Sequence, residues 1–348
     1  MTYDLPPLRD LPDLPFDAVI YALSPAEFAE DHIPGAINLP VLSDAERAEV
    51  GTIYTQESPF KARKIGGALV AKNIAAHLEG PLAGHEGGWR PLIYCWRGGQ
   101  RSGAFGLWLR EVGWRAETVT GGYQAYRRAV VQQLYDAELP HRVVLLDGNT
   151  GTAKTDILAR VAARGGQVVD LEGLANHRGS VLGLMPGGQP SQKMFETRLS
   201  AVMAGLDPAK PVLVEAESSK VGERLIPPAL WKAMQSAPRL RVQASVEDRT
   251  QYLCRAYADL FADLPVFKRQ LGLLTRLQGR ARVAEWHRLA EAGDFAPLVR
   301  DLIEHHYDRR YAKHRAAAEA PAAVLPITLD AGGLDRAAEA VLRHLNHA

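Results

Sequence analysis

The sequence predicts an α/β protein of two parallel-sheet domains, the second carrying a helical C-terminal part. Three observations predict it. Short apolar runs alternate with stretches of helical periodicity, the pattern of strand–helix–strand units with largely parallel sheets. One run ends in a cysteine followed by arginines and glycines, "YCWRGGQRSG" (94–103). Another, "VVLLDGNTGTAKTDIL" (143–158), repeats that layout with a lysine in the glycine loop. A length of 348 residues suits two average domains.

The expected strands are "AVIYAL" (18–23), "PLIYC" (91–95), "AETVTG" (116–121), "RVVLLDG" (142–148), "GQVVDLEG" (166–173), "PVLVEAES" (211–218), "LRVQASV" (240–246) and "AVLPITLDA" (323–331). The stretch "LEGPLAGHEGGWRP" (78–91) reads as a glycine-rich surface loop leading into the cysteine strand. The helical "YQAYRRAVVQQLYDAE" (123–138) stops near a proline, which sets the expected domains at 1–138 and 139–348. "HRAAAEAPAAV" (314–324) reads as a polar, alanine-rich connector to the last strand and helix.

Composition narrows the function classes. No window of about 18 uninterrupted apolar residues occurs, so no membrane span is expected. The opening "MTYDLPPLRDLPDLP" lacks the basic and apolar regions of a signal peptide, and the expected location is the cytoplasm. Two cysteines, Cys95 and Cys254, are too few for a disulfide framework or a structural zinc site. Cys254, in "QYLCRAY", reads as a small core residue. The net charge of +1 means that nucleic-acid binding has to come from local patches. Residues 90–128 hold seven arginines against two glutamates, and residues 268–315 hold eleven Lys/Arg against six Asp/Glu.

In the cysteine loop, Cys95 stands at the C-terminal end of a strand. Gly98 and Gly99 let the backbone curl so that its N–H groups face inward. A helix expected from about Ser102 aims its positive end at the same spot, and Arg97 and Arg101 add charge. Reactive cysteines need an electropositive, partly open setting of this kind, whereas the plainer reading is a core cysteine before a solvated arginine turn.

The lysine loop, "GNTGTAKT" (148–155), lies between a strand and a helix, the context of a phosphate-binding P-loop. Gly148, Asn149, Thr150, Gly151, Thr152 and Ala153 form the loop, Lys154 supplies a point charge, and Thr155 can reach a magnesium ion. The motif wants glycine where Ala153 stands. At positive φ the added methyl costs on the order of 1 kcal/mol. A P-loop kept only for folding is the competing reading. Downstream, Glu215 and Glu217 end a buried strand where a P-loop fold places its metal-side acids, or else they form a strand-end salt bridge.

The stretches "SPAEFAEDHIPGAINLP" (24–40) and "TVTGGYQAYRRA" (118–129) resemble the opening and closing motifs of rhodanese domains, and 16–135 as a whole is similar to one. Rhodanese cysteines carry sulfur or selenium. Here the arginine follows the cysteine one residue later than is common in rhodaneses, which suits a larger, phosphate-bearing ligand. The Asp and Arg that rhodaneses place just before the position of Ser24 are missing, and Tyr21, Ala22 and Leu23 stand there.

With "AERAEVGTIYTQESPFKARKIGGALV" (45–70), "DLEGLANHRGSVLG" (170–183), "QPSQKMFE" (189–196) and "EAESSKVG" (215–222), nearly the whole chain resembles the tRNA 2-selenouridine synthase family, a rhodanese domain fused to a P-loop domain. The resemblance implies conversion of wobble 2-thiouridine to 2-selenouridine through S-geranyl-2-thiouridine. It implies tRNAs for lysine, glutamate and glutamine, with geranyl diphosphate and selenophosphate as co-substrates. No tightly bound cofactor is implied; Mg2+ is a candidate ion and selenophosphate synthetase a candidate partner. Cys95 is then the selenium-handling nucleophile. Arg97, Gly98, Gly99, Arg101 and Ser102 bind selenophosphate, and the lysine loop binds diphosphate. Asp170, Glu172, His177, Arg178, Ser180, Glu215 and Glu217 are candidates for the second site, with His177 equally readable as a turn histidine.

In the basic segment, Arg276, Arg280 and Arg282 are candidate tRNA contacts on a helix with Trp286 interleaved, or an ordinary charged face. His305 and His306 lack a metal-ligand spacing and read as a solvated face. Three other functions compete: a sulfurtransferase feeding tRNA thiolation, a P-loop kinase or ATPase with a rhodanese regulatory domain, and a nonenzymatic RNA binder.

Overall fold

The computed structural model describes residues 1–315 and 320–347, so part of the alanine-rich connector lies outside the described residues. The chain divides into two compact units, Met1–Ala137 with Pro190–Gly205, and Glu138–Gln189 with Leu206–Ala348. The sequence reading ran 139–348 as one stretch; the fold lends 190–205 to the first unit.

The strands, in chain order, are β1 (Thr2–Tyr3), β2 (Ala18–Tyr21), β3 (Ile37–Asn38), β4 (Pro91–Tyr94), β5 (Glu117–Val119), β6 (Val143–Asp147), β7 (Gln167–Val169), β8 (Val212–Glu215), β9 (Lys220–Val221), β10 (Arg224–Leu225), β11 (Arg239–Gln243) and β12 (Ala323–Pro326). All eight expected strands form. The two-residue strands β1, β3, β9 and β10 were not expected, because so short a segment has no periodicity to read.

In the first unit the sheet order is β1-β5-β4-β2-β3, with every pair parallel. Strand β4 is buried along its whole length, which explains its unbroken apolar sequence. Ile20, Ile93, Phe105 and Leu109 pack in one core with Ile74 and Trp114. The expected surface loop 78–91 is partly drawn into that core. Leu82 and Trp89 are buried, His85 stacks on Trp89 at 3.9 Å, and Trp114 Nε1 donates to the Glu86 carbonyl at 3.0 Å.

Helix Gln192–Ala204 completes this unit. The Ser191 side chain accepts from the Met194 N–H at 2.9 Å and starts the helix. Phe195, Leu199 and Met203, four residues apart, turn inward. Glu196 is buried with them and is satisfied by Arg127, by the Tyr135 hydroxyl at 2.6 Å and by Gln192 at 2.9 Å. Arg127 lies 3.8 Å from Asp31, which accepts from the Tyr123 hydroxyl at 2.6 Å. Burial pushes the Asp31 carboxyl up, and the Tyr123 hydrogen bond opposes it.

In the second unit the order is β12-β11-β6-β8-β7, again all parallel. Strand β6 lies at the centre. The chain moves to one side of it for β7 and β8 and to the other for β11 and β12, so a crevice opens beyond its C-terminal end. A helical part follows β11 and has its own core of Phe267, Leu271, Trp286, Leu298 and Ile303. Trp286 corrects the sequence reading. It is fully buried and donates Nε1–H to Asp301 at 2.8 Å, so it packs the interior instead of punctuating a basic surface. His306 corrects it as well: it is buried in the π-helical turn Ile303–Tyr307, not solvated. Cys254 is partly buried against this core. Among the described residues no helix is long and apolar enough to cross a membrane.

The Arg127–Glu196 pair gives a stability prediction. Arg127→Ala leaves a buried carboxylate without its main partner and should cost about 3 kcal/mol or more in urea unfolding. Adding Glu196→Gln should recover part of the loss, because the orphaned charge is gone. A single-mutant cost below about 1 kcal/mol would show that the pair is solvated.

Candidate functional site

In each unit a glycine loop follows the central strand of the sheet. In the first unit Cys95 comes directly after β4. It is only 3% exposed, and its Sγ lies 3.1 Å from the Ser102 hydroxyl. The following helix, Gln100–Val112, begins two residues before the expected Ser102, with Gly99 as its N-cap.

Two glycines, one in the loop and one beyond it, hold it in shape. Gly98 has φ +66, and a Cβ there would lie 2.7 Å from the Val119 carbonyl. Gly122 has φ +58, and a Cβ there would lie 2.3 Å from the Cys95 carbonyl. This close approach lets the Tyr123 and Gln124 N–H groups donate to the carbonyls of Cys95 and Trp96 at 2.8 and 3.0 Å. The Trp96 ring stacks on Tyr123 at 5.2 Å. Of the expected anion-binding groups, Arg97, Gly98 and Gly99 are exposed around the loop. Arg101 instead leans on Glu27 at 3.5 Å.

In the second unit, Gly148 to Thr155 wraps the end of β6, and helix Lys154–Ala163 follows. Ala153 has φ 55, the left-handed conformation that the missing glycine would hold without strain, and its methyl is buried. Lys154 Nζ donates back to the Gly148 carbonyl at 3.2 Å. Burial pulls its pKa down, but the nearby Tyr311, Glu172, Glu217 and Glu215 outweigh burial and raise it. The ammonium is therefore firmly charged.

Two residues the sequence reading missed fix this loop. The buried Arg249 donates Nε–H to the Thr150 carbonyl at 2.9 Å and pairs through both terminal nitrogens with Asp308 at 2.9 and 2.7 Å. Asp308 also accepts from the Asn149 amide at 2.7 Å. The only signals were an arginine in "SVEDRTQY" and an aspartate in a run of charges, with nothing to link them.

The second-site candidates Asp170, Glu172, Glu215 and Glu217 gather beside Lys154. Asp170 caps a short helix by accepting from the Gly173 N–H at 2.7 Å. Thr155 donates to Glu172 and lies within hydrogen-bond reach of Glu215, both at 3.2 Å. Glu215 also accepts from the Glu172 N–H at 3.0 Å. Burial, and then mutual repulsion, raises the pKa of Glu172 and of Glu215, and the same causes push Glu217 up to about 8. Gly179, with φ +66, presses its backbone against the Glu172 and Glu217 carboxyls, where a Cβ would come within 2.4 and 2.8 Å. That requirement explains the glycine in "NHRGS".

The remaining motif residues form another wall. Arg178 donates from one terminal nitrogen to both Asp259 carboxylate oxygens, at 2.7 and 2.8 Å, and lies over the Tyr257 ring. Ser180 meets the Tyr257 hydroxyl at 3.3 Å. His177 is buried, and burial, then Arg178, lowers its pKa, so it is neutral at pH 7. These groups, the P-loop, and the apolar Val181, Met185, Leu253 and Ala256 line one cleft of about 970 Å³. His306 lines it too, and burial, then Arg310, lowers its pKa to about 4. The candidate tRNA contacts lie outside the cleft lining: Arg276 and Arg280 are exposed, while Arg282 lies 3.7 Å from Asp301.

A parallel sheet with a phosphate-binding loop beyond its central strand defines a P-loop domain, here accompanied in the same chain by a strand-end cysteine loop. Residues 141–270 match the family model described as the tRNA 2-selenouridine synthase AAA domain. The tRNA 2-selenouridine synthase of Hahella chejuensis (strain KCTC 2396) is 34% identical over 326 residues, 83% of each chain. That of Alcanivorax borkumensis is 40% identical over 242 residues, 67% of this chain and 64% of the relative. That of Pseudomonas syringae pv. syringae is 37% identical over 246 residues, 68% and 64% of the two. The chain belongs to the tRNA 2-selenouridine synthase family, a family of enzymes.

The strain at Ala153 gives a prediction. Ala153→Gly relieves about 1 kcal/mol of left-handed strain and forfeits about 0.8 kcal/mol of buried methyl. Chemical unfolding should therefore place the variant within about 1 kcal/mol of the parent. A loss beyond about 2 kcal/mol would mean that the methyl is a required part of the packing under the loop.

Proposed function

We propose that this chain is a transferase that replaces the sulfur of a tRNA 2-thiouridine with selenium, in two steps divided between its two loops. The observation that carries the reading is the pairing, in one chain, of a strand-end thiol set in a glycine–arginine loop with a P-loop cleft that holds a charged lysine and has apolar residues in its walls.

In the first step the thiocarbonyl sulfur attacks the first carbon of geranyl diphosphate. The S–C bond forms, the C–O bond breaks with its electron pair leaving on diphosphate, and the N3 proton of the base is lost. The loop amides and Lys154 hold diphosphate, and the apolar wall suits the geranyl chain. Thr155 with Glu215 offers hard oxygen donors of the kind Mg2+ takes, and the ion would offset diphosphate charge there. Among the described residues no group of three or more His, Cys, Asp or Glu forms a metal cage, so such an ion would be held largely by phosphate and water.

In the second step the selenium of selenophosphate, supplied by a selenophosphate synthetase, attacks C2; the C2–S bond breaks with its electron pair leaving on the geranylthiolate, and water then cleaves the Se–P bond and releases phosphate. A thiol leaves more readily than sulfide would, which gives the alkylation its purpose. Cys95 handles the selenium donor, with Arg97, Arg101, Ser102 and the amides of Gly98 and Gly99 beside it. The substrates are tRNAs of the lysine, glutamate and glutamine type, and the enzyme acts in the cytoplasm.

Mass spectrometry of nucleosides from 2-thiouridine tRNA, incubated with enzyme, geranyl diphosphate and selenophosphate, tests the reading. Cys95→Ser should abolish 2-selenouridine while S-geranyl-2-thiouridine accumulates, because alkylation needs no protein thiol. Lys154→Ala should make no geranylated tRNA, yet still convert pre-geranylated tRNA to the selenium product. A folded Cys95→Ser enzyme that still yields 2-selenouridine would sink the division of labour.

Binding of tRNA gives a second expectation. Arg276 and Arg280 are exposed, so replacing both with alanine should weaken tRNA binding. The slope of log K against log salt should flatten by about 0.7 to 0.9 for each lost phosphate contact. An unchanged slope would place the RNA elsewhere.

A further inference from the structure

The cations that line the P-loop cleft differ in what they have left to offer a ligand. Arg178 is taken up by Asp259, and Arg241 donates to Asp147 at 2.7 Å. Lys154 shares its charge with Glu172, Glu215 and Glu217. Among the described residues, Arg239 and Arg310 line the cleft without an ion pair.

These two are not equally placed. Arg239 pairs in register with Leu145 of β6, three residues short of Gly148 where the loop begins. That is roughly 10 Å back along the strand. Arg310 follows two residues after Asp308, which receives both the Arg249 guanidinium and the Asn149 amide. The helix that carries Arg310, Asp308–Arg315, is thereby tied at its first residue to the P-loop itself. Tyr311, the next residue, lines the same cleft.

We propose that Arg310 is a further diphosphate-binding residue, supplying the positive charge that Lys154 shares with its carboxylates. The inference rests on the reading of the P-loop as a diphosphate site. Its chemistry is electrostatic. As the C–O bond of the allylic diphosphate breaks, the electron pair moves onto the leaving oxygen, and a fixed guanidinium stabilises the growing charge without giving up a proton. The planar fork of arginine suits two phosphate oxygens at once, which lysine cannot match.

Titration of the full chain with inorganic diphosphate, followed by calorimetry, tests this. Arg310 is exposed, so its variants should fold, and a thermal scan checks that they do. Arg310→Ala should weaken binding about 10- to 100-fold, the worth of a charged hydrogen-bonding group. Arg310→Lys should fall between, and Arg309→Ala, on an exposed neighbour outside the cleft lining, should match the parent. If Lys154→Ala loses binding while Arg310→Ala binds within about twofold of the parent, the assignment of Arg310 is overturned and the P-loop reading stands. If the parent does not bind diphosphate, or Lys154→Ala binds as well as the parent, the P-loop reading falls and the role of Arg310 falls with it.

Discussion

The buried Arg249–Asp308 pair is the interaction on which the second unit's site depends. A P-loop works by aiming backbone N–H groups at phosphate, so its carbonyls have to be held the other way. Arg249 holds the Thr150 carbonyl, and Asp308 holds the Asn149 side chain, so one ion pair grips two successive residues of the loop. The guanidinium is almost fully buried, and such a charge is tolerable only when its donors are used. The loop's shape is thus secured by the cost of leaving Arg249 unsatisfied. The same pair ties the loop to a helix far along the chain, and so brings Tyr311 and Arg310 to the cleft.

Beside that clamp the cleft is electrostatically tense. Several carboxyls crowd around one ammonium, burial disfavours their charged forms, and one of them, Glu217, has its pKa raised to about 8. Gly179 makes the crowding possible, because only a residue without a Cβ can bring its backbone against both Glu172 and Glu217. The cysteine loop uses the same device with a different aim. Gly122 admits the start of one helix against the Cys95 carbonyl, and the sulfur is left to Ser102. Both loops follow the middle strand of a parallel sheet, where strand ends and helix starts converge.

The fold was legible wherever the signal was local. Strands β4, β6 and β8 are buried throughout and read as apolar runs, β6 and β8 closing on an acid, and the two glycine loops carry their chemistry within about ten residues. Pairing across long distances was not legible. Arg249 and Asp308 stand 59 positions apart, and neither neighbourhood announces the other. Burial within a helical charge run was hidden too. "AEWHRL" and "IEHHYDRRY" look alike as polar helix, yet Trp286 and His306 face inward, because the face is chosen by Phe267, Leu298 and their neighbours. The motif "DLEGLANHRGS" was legible as a site, but the separate tasks of its members were not. Asp170 caps a helix, Gly179 makes room, and Arg178 is spent on Asp259.

Helix Gln192–Ala204 bears on how the chain reaches its fold during synthesis. A ribosome delivers residues in order, and domains generally fold as they emerge. The first unit cannot finish that way. Glu196, the buried partner of Arg127, is added 69 residues later, after β6, the P-loop and β7 have been synthesised. Until then the groove that receives the helix exposes apolar surface, and Asp31 and Arg127 lack their last partners. The nascent chain therefore has to carry an unfinished domain while the next one begins to form, and the two maturations are locked into one schedule.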